Sequence, residues 1–215
     1  MATDENRRPL ASRGSKWAAA LTRQLAATSV TPNQISMASM VMAAVAGAAF
    51  WFSHDAAGWA KAALLVIAAL FMQLRLLCNL LDGMVAIEAG KSAKDGAFWN
   101  EFPDRIADIF IFVGAGVGAG HIALGWAAAA LSVLTAYVRE HGRACGAPAD
   151  YSGPMAKQHR MAVMTLAALV AASEPFWNRD PIVLKAALWI VAIGSAMTAL
   201  RRAMRLVNHL RSVVR

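Results

Sequence analysis

Asn79-Leu-Leu-Asp82-Gly83, followed by Gly96-Ala-Phe-Trp-Asn100-Glu-Phe-Pro-Asp104, places amide and acidic side chains at helical spacing on the rim of long apolar segments. Charge at a membrane boundary is expensive, so it marks chemistry more often than architecture. Two facing polar stripes of this kind, each with a glycine beside it, can hold a metal ion against a phosphate.

The apolar segments on either side decide the fold class. The chain has 215 residues, of which 58% are hydrophobic and 16% charged, more apolar and less charged than a soluble domain. The excess lies in long runs, and a helix needs about 20 apolar residues to cross a bilayer. Six spans are predicted, at 33–53, 57–85, 97–120, 121–141, 156–177 and 181–205. Before them, residues 10–29 interleave Leu10, Trp17, Leu21 and Leu25 with Arg13, Lys16 and Arg23, the pattern of an amphipathic helix lying on the membrane surface. Thr31-Pro32-Asn33 then starts a new helix, with proline at its first position. The expected fold is an all-α membrane protein of six transmembrane helices plus an N-terminal amphipathic helix. It divides into a cytoplasmic segment, 1–30, and one membrane domain, 31–215.

Basic residues set the orientation. Arg7, Arg8, Arg13, Lys16 and Arg23 precede the first span. Lys91 and Lys94 lie between spans two and three, Arg139, Arg143, Lys157 and Arg160 between four and five, and Arg201, Arg202, Arg205, Arg211 and Arg215 at the end. The opposite connections, His54-Asp55, Gly120-His121 and Glu174 to Asp180, are poor in cations. Both termini are therefore expected in the cytoplasm of a multi-pass protein of the cell (inner) membrane. The net charge of +8 is explained by this bias and by anionic lipid, with no nucleic-acid partner. The first residues lack the apolar core of a signal peptide. Cys78 and Cys145 have neither metal-binding spacing nor a disulfide framework. Gly114-Ala-Gly116-Val-Gly118-Ala-Gly120 has the look of a dinucleotide-binding loop, but it follows no strand. Small residues four apart instead let helices approach closely.

Asn79 and Asp82 are three apart and share a helix face, as do Asn100, Asp104 and Asp108, spaced by four. A short turn containing Gly90, Lys91, Ser92, Lys94 and Gly96 lets those faces meet. Carboxylate and amide oxygens suit Mg²⁺ or Mn²⁺, with substrate phosphate completing the shell. For any one of these residues a local hydrogen bond or ion pair is the simpler explanation; the spaced set together points to a site.

The spacing Asn79-x2-Asp82-Gly83-x2-Ala86-Ile87-x8-Gly96-x3-Asn100-x3-Asp104 resembles the signature of the CDP-alcohol phosphotransferase family, D-x2-D-G-x2-A-R-x8-G-x3-D-x3-D. Thr31-Pro32-Asn33-Gln34-Ile35-Ser36 and Tyr137-Val138-Arg139-Glu140 resemble two further stretches of it, so the likeness covers roughly residues 20–205. It implies an integral membrane transferase of phospholipid biosynthesis. Such an enzyme moves a phosphatidyl-type group from a CDP-alcohol such as CDP-diacylglycerol to an acceptor alcohol and releases CMP. It also implies a homodimer, and a divalent metal pair gripping the pyrophosphate. The matching metal positions are Asp82, Asp104, Asn79 and Asn100, with Asp104 as the base. Gly83, Ala86, Gly96, Pro32 and Asn33 would lie against the nucleotide, and Arg139, Lys157 and Arg160 against a phosphorylated acceptor. His141 and His159 are assigned no role.

Three positions depart from the pattern: Asn79 and Asn100 replace aspartates and Ile87 replaces arginine. Two negative charges are thus missing, and Mg²⁺ affinity depends on ligand charge. The expectation is weaker binding, one ion in place of two, or help from Glu88, Glu101 or Asp108. The alternative is a catalytically degenerate member that binds lipid or nucleotide. A transporter is disfavoured, because no inverted repeat is visible.

Overall fold

Long apolar runs broken by Pro and Gly become helices, and in the computed structural model, which describes residues 16–88, 90, 94–177 and 181–213, helices are the regular structure of those residues, joined by turns and loops. In chain order they are α1 (Lys16–Ala26), α2 (Pro32–Phe52), α3 (Gly58–Glu88), α4 (Gly96–Gly118), α5 (Ile122–Ala144), α6 (Lys157–Ala171), a short 3₁₀ turn (Glu174–Phe176) and α7 (Ile182–Val213). The predicted contributions of Arg7, Arg8, Leu10, Arg13, Lys91, Ser92, Asp180 and Arg215 fall outside the described residues.

Among the described residues four helices, α2, α3, α5 and α7, are long and apolar enough to cross a membrane. The chain is a multi-pass membrane protein; of the six predicted spans, α4 and α6 fail that test, for physical reasons. Glu101, Asp104, Arg105 and Asp108 charge the first half of α4, and α6 has 15 residues, about 22 Å of helix.

The start of α2 follows its sequence. Thr31 Oγ accepts the Gln34 N–H at 3.3 Å and Gln34 Oε1 accepts the Thr31 N–H at 3.0 Å, a reciprocal cap with Pro32 in the first turn. The amphipathic α1 ends at Ala26, three residues before its predicted limit of 29, and the first residues of that prediction lie outside those described. It buries Ala18 and Thr22 on Leu80 and Met84 of α3, while Leu21 and Leu25 pack toward Ile35, Leu81 and Val85. Trp17 is left outside.

The main core joins α2, α3 and α4 on one flank to α5, α6 and α7 on the other, around Phe50, Met72, Phe112, Met161, Met164 and Leu188. Glycine decides how close α4 comes to its neighbours. A Cβ on Gly114 would sit 2.2 Å from the Gly47 carbonyl oxygen of α2, and one on Gly118 2.5 Å from that of Phe50. On the other side of α4, a Cβ on Gly116 would meet Gly125 Cα of α5 at 2.7 Å. The close approach expected of this glycine run is therefore present. Gly120 takes no part in it; at φ 68° it terminates α4 in a conformation that favours glycine.

In Gly114→Ala the new methyl meets main chain, not a side chain that can rotate. Expected is a loss of about 1–3 kcal/mol or more, as in other overpacked cores. Gly142→Ala meets only Leu206 methyl groups at 3.5 Å and should change stability by less than about 1 kcal/mol. Denaturant titration of both variants in mild detergent checks the pair.

Candidate functional site

The polar faces of α3 and α4 do meet. Asn79 Nδ2 donates to Asp104 Oδ1 at 3.0 Å, so the two halves of the spaced motif are in direct contact. Asp82 lies one turn further along α3 and is buried. Its Oδ2 accepts from Ser36 Oγ of α2 at 2.6 Å and its Oδ1 from the Gly83 N–H at 2.6 Å. Lys157 and Asp104 both act on it through their fields.

Asp104 is surrounded by cations from two other helices. Arg75 Nη2 of α3 reaches Asp104 Oδ1 at 3.3 Å and Asp108 Oδ1 at 3.0 Å, while Lys157 at the head of α6 pairs with Asp104 Oδ2. Asp108 receives a second guanidinium, Arg160 Nη2, at 2.9 Å. Arg160 also donates to Thr135 Oγ1 at 3.2 Å and to the Met155 carbonyl at 3.0 Å. Depth orders this network. The side chains of Arg75, Asp108 and Arg160 are 0%, 1% and 2% exposed, whereas those of Asp104 and Lys157 are 13% and 17% exposed. The deep layer is closed on itself; the upper layer opens on the rim.

Other predicted residues sit as follows. Asn100 is exposed one turn before Asp104. Gly83 and Gly96 face open space: nothing lies within 4 Å of where a Cβ would be, so there is room for a ligand beside the carboxylates. Ala86 is half-buried and Ile87 exposed at the end of α3. Asn33, beside Pro32, donates to both oxygens of Asp95 at 3.3 and 3.2 Å, and Trp99 Nε1 donates to Asp95 Oδ2 at 2.8 Å. Those donors, Trp99 first and Asn33 next, hold the Asp95 carboxyl below the usual range. They tie the loop before α4 to the head of α2.

The three basic residues expected in one anion pocket lie in three places. Arg160 is sealed against Asp108, Lys157 is on Asp104, and Arg139 pairs with Glu101 and Glu140 and lies 5.1 Å from the centroid of the Tyr151 ring. Arg139 also lines a cavity of about 350 Å³ with Arg202, Arg205, His209 and Asp150, between α5, α7 and the loop joining α5 to α6. The Asp150 carboxyl is pushed up by burial, but hydrogen bonds from Ser152 and Arg205 outweigh this and leave it below its usual range.

The oxygen donors present fit one divalent ion better than two. Among the described residues no group of three His, Cys, Asp or Glu side chains is placed to hold a metal. Asp82 and Asp104, with Asn79 and Asn100 bringing neutral oxygens, are the available ligands, and Mg²⁺ is commonly held by one or two carboxylates plus substrate phosphates. None of the three helpers considered from sequence adds to them. Asp108 is locked between two guanidiniums, Glu101 is paired with Arg105 and Arg139, and Glu88 is exposed at the end of α3.

Arg75 and Ser36 complete the site and were not singled out by spacing. The signal for Arg75 was available: a lone cation in the middle of an apolar span, one turn before Asn79. Ser36 lies within the stretch headed by Thr31, but only the fold turns it toward Asp82.

No family model matches the chain. It is 27% identical over 181 residues, 80% of its length and 70% of the other's, to a phosphatidylinositol phosphate synthase of Streptomyces avermitilis. It is 24% identical over 185 residues to an archaetidylinositol phosphate synthase of Pyrococcus horikoshii, covering 84% of this chain and 85% of that one. In fold it resembles the Mycobacterium tuberculosis phosphatidylinositol phosphate synthase solved with CDP-DAG bound, with a TM-score of 0.72 and 23% identity over 89% of this chain and 94% of that one. The same protein in complex with manganese and citrate aligns at 0.71 and 22% identity, covering 88% of each chain.

Removing Arg75 leaves two buried carboxylates short of a counter-charge, the situation in which breaking a buried pair costs about 3–5 kcal/mol. Arg75→Met should lose that much stability. Arg143→Met, which breaks an exposed pair with Glu140, should lose less than about 1 kcal/mol. Unfolding titrations in detergent compare the two.

Proposed function

We propose that this chain, whose kinship with the CDP-alcohol phosphotransferases is carried by sequence and fold alike, transfers a phosphatidyl-type group from a CDP-alcohol such as CDP-diacylglycerol to an acceptor alcohol and releases CMP. The observation that carries this reading is the meeting of Asn79 and Asp104 across two helices, with Asp82 alongside and open space at Gly83 and Gly96. The step forms a bond from the acceptor oxygen to the lipid-bearing phosphorus and breaks the phosphorus–oxygen bond to CMP. The hydroxyl proton passes to Asp104, which stands at the rim. Ser36 and the Gly83 N–H fix the Asp82 carboxylate, and Asn79 fixes that of Asp104. Mg²⁺ or Mn²⁺, held by Asp82 and Asp104 with Asn79 and Asn100, would neutralise the pyrophosphate and the departing CMP. Gly83, Ala86, Gly96, Pro32 and Asn33 are the proposed nucleotide contacts. Positioning and electrostatics carry most of the rate in such transfers.

The acceptor we favour is a phosphorylated polyol such as inositol phosphate. The guanidiniums of Arg139, Arg202 and Arg205 around one cavity support it, and so do the names of the two relatives. Lys157 pairs with Asp104 at the rim, while Arg160 acts by holding Asp108 in place. In the membrane, α4 and α6 would complete six crossings, because the charges of α4 turn into the bundle and away from lipid. Residues 1–30 would form a cytoplasmic segment and 31–215 one membrane domain, with both termini inside and the protein a homodimer in the cell (inner) membrane. Asn79, Asn100 and Ile87 support a second reading, a non-catalytic lipid- or nucleotide-binding relative.

Purified protein given CDP-diacylglycerol, inositol phosphate and Mg²⁺ or Mn²⁺ should release CMP. Asp82→Asn and Asp104→Asn should each lower that release by roughly a hundred-fold or more, the range for losing a positioned acid–base group. CMP release that ignores both substitutions favours the second reading.

A further inference from the structure

The wall of the site is electrically neutral before any ion arrives. Asp82, Asp104 and Asp108 supply three negative charges, and Arg75, Lys157 and Arg160 supply three positive ones. Arg160 and Asp108 cancel at depth, where neither is exposed enough to meet a ligand. Arg75 is spent on Asp104, Asp108 and the Met161 sulfur. Lys157 differs from the other two cations. It is partly exposed at the rim, and an ammonium has three donors, of which Asp104 takes one.

Asn79 fits this charge arrangement. Its amide N–H reaches the oxygen of Asp104 at 3.0 Å, where a carboxylate would repel. The face between α3 and α4 is therefore stable without a metal ion bridging it. Two divalent ions would leave this wall with four uncompensated positive charges. A pyrophosphate diester brings one negative charge on each phosphorus group, so a single divalent ion balances it.

We propose that this centre takes one divalent cation, among Asp82, Asp104, Asn79 and Asn100, and that the Lys157 ammonium on Asp104 Oδ2 occupies the place of a second ion and meets the pyrophosphate directly. The inference rests on the transferase reading for its pyrophosphate and extends it by naming the charge that receives it. One consequence is an order of binding. The wall alone offers a divalent ion no net charge, so the ion is held tightly only when a pyrophosphate is present.

The test counts Mn²⁺ bound to the full-length protein in detergent by electron paramagnetic resonance, with and without CDP as the pyrophosphate probe and with a protein-free Mn²⁺–CDP control. Expected is one Mn²⁺ per chain with CDP, and binding on the order of ten-fold or more weaker without it. Lys157→Gln should weaken CDP retention by a similar factor, and Lys157→Arg, which keeps the charge, should restore most of it. Lys157→Gln combined with Asn79→Asp and Asn100→Asp should bind a second Mn²⁺; an unchanged thermal midpoint in Lys157→Gln shows that its fold survives. Two Mn²⁺ per unmodified chain, or CDP retention indifferent to Lys157→Gln, overturns the proposal. If that same preparation still releases CMP, the transferase reading stands without it. One Mn²⁺ with CDP in a preparation that never releases CMP supports the charge assignment and overturns the transferase reading instead.

Discussion

Arg75 sits with no exposed surface between Asp104 and Asp108, and the polar interior is arranged around it. A charge in that position is tolerable only if every partner stays in place, because an unpaired ion in a low-dielectric core costs several kcal/mol. One guanidinium thereby fixes the rotation of α4 against α3. Arg160 closes the far side of Asp108 and brings α6 and Thr135 of α5 into the same register. Asp104, one turn above, inherits its position from this layer. The rim carboxylate is placed by a salt-bridged floor rather than by the loops above it.

The helices were legible because apolar length and helix breakers are local properties. Thr31-Pro32 and Gly120 mark ends that the structure shares. The bounds drifted where hydropathy and helicity part company. The helix from Gly58 continues to Glu88, three residues past its predicted limit of 85, and α7 runs on to Val213 through a basic tail that membrane-length reasoning stopped at 205. Helix formation needs no lipid there, only backbone hydrogen bonds and tolerable side chains. The charges of α4 and the brevity of α6 leave both short of the apolar length that a membrane crossing asks of a helix.

The site was legible as a spacing and illegible as a charge balance. Asn79 and Asp104 touch as their periodicity requires, since three and four residue steps fix a helix face. Which cation answers which anion is a long-range matter. Lys157 lies 53 residues from Asp104 and Arg160 52 residues from Asp108, and no pattern in the chain records that they meet. Reading the loop cations as one cluster reflected their nearness in sequence. The fold sends them to different depths: Arg160, in the first turn of α6, is turned inward onto Asp108, while Lys157, its first residue, stays at the rim.

The seam where Gly114 faces Gly47 has an evolutionary corollary. When side chains interlock, an enlarged residue on one helix can be accommodated by a trimmed one opposite, and such positions drift in compensating pairs. Here the opposing surface is peptide backbone, which offers no atom to trim. Second-site suppressors of a lesion at this crossing have nowhere local to arise. Its glycines should therefore stay frozen in lineages whose lipid-facing positions turn over freely.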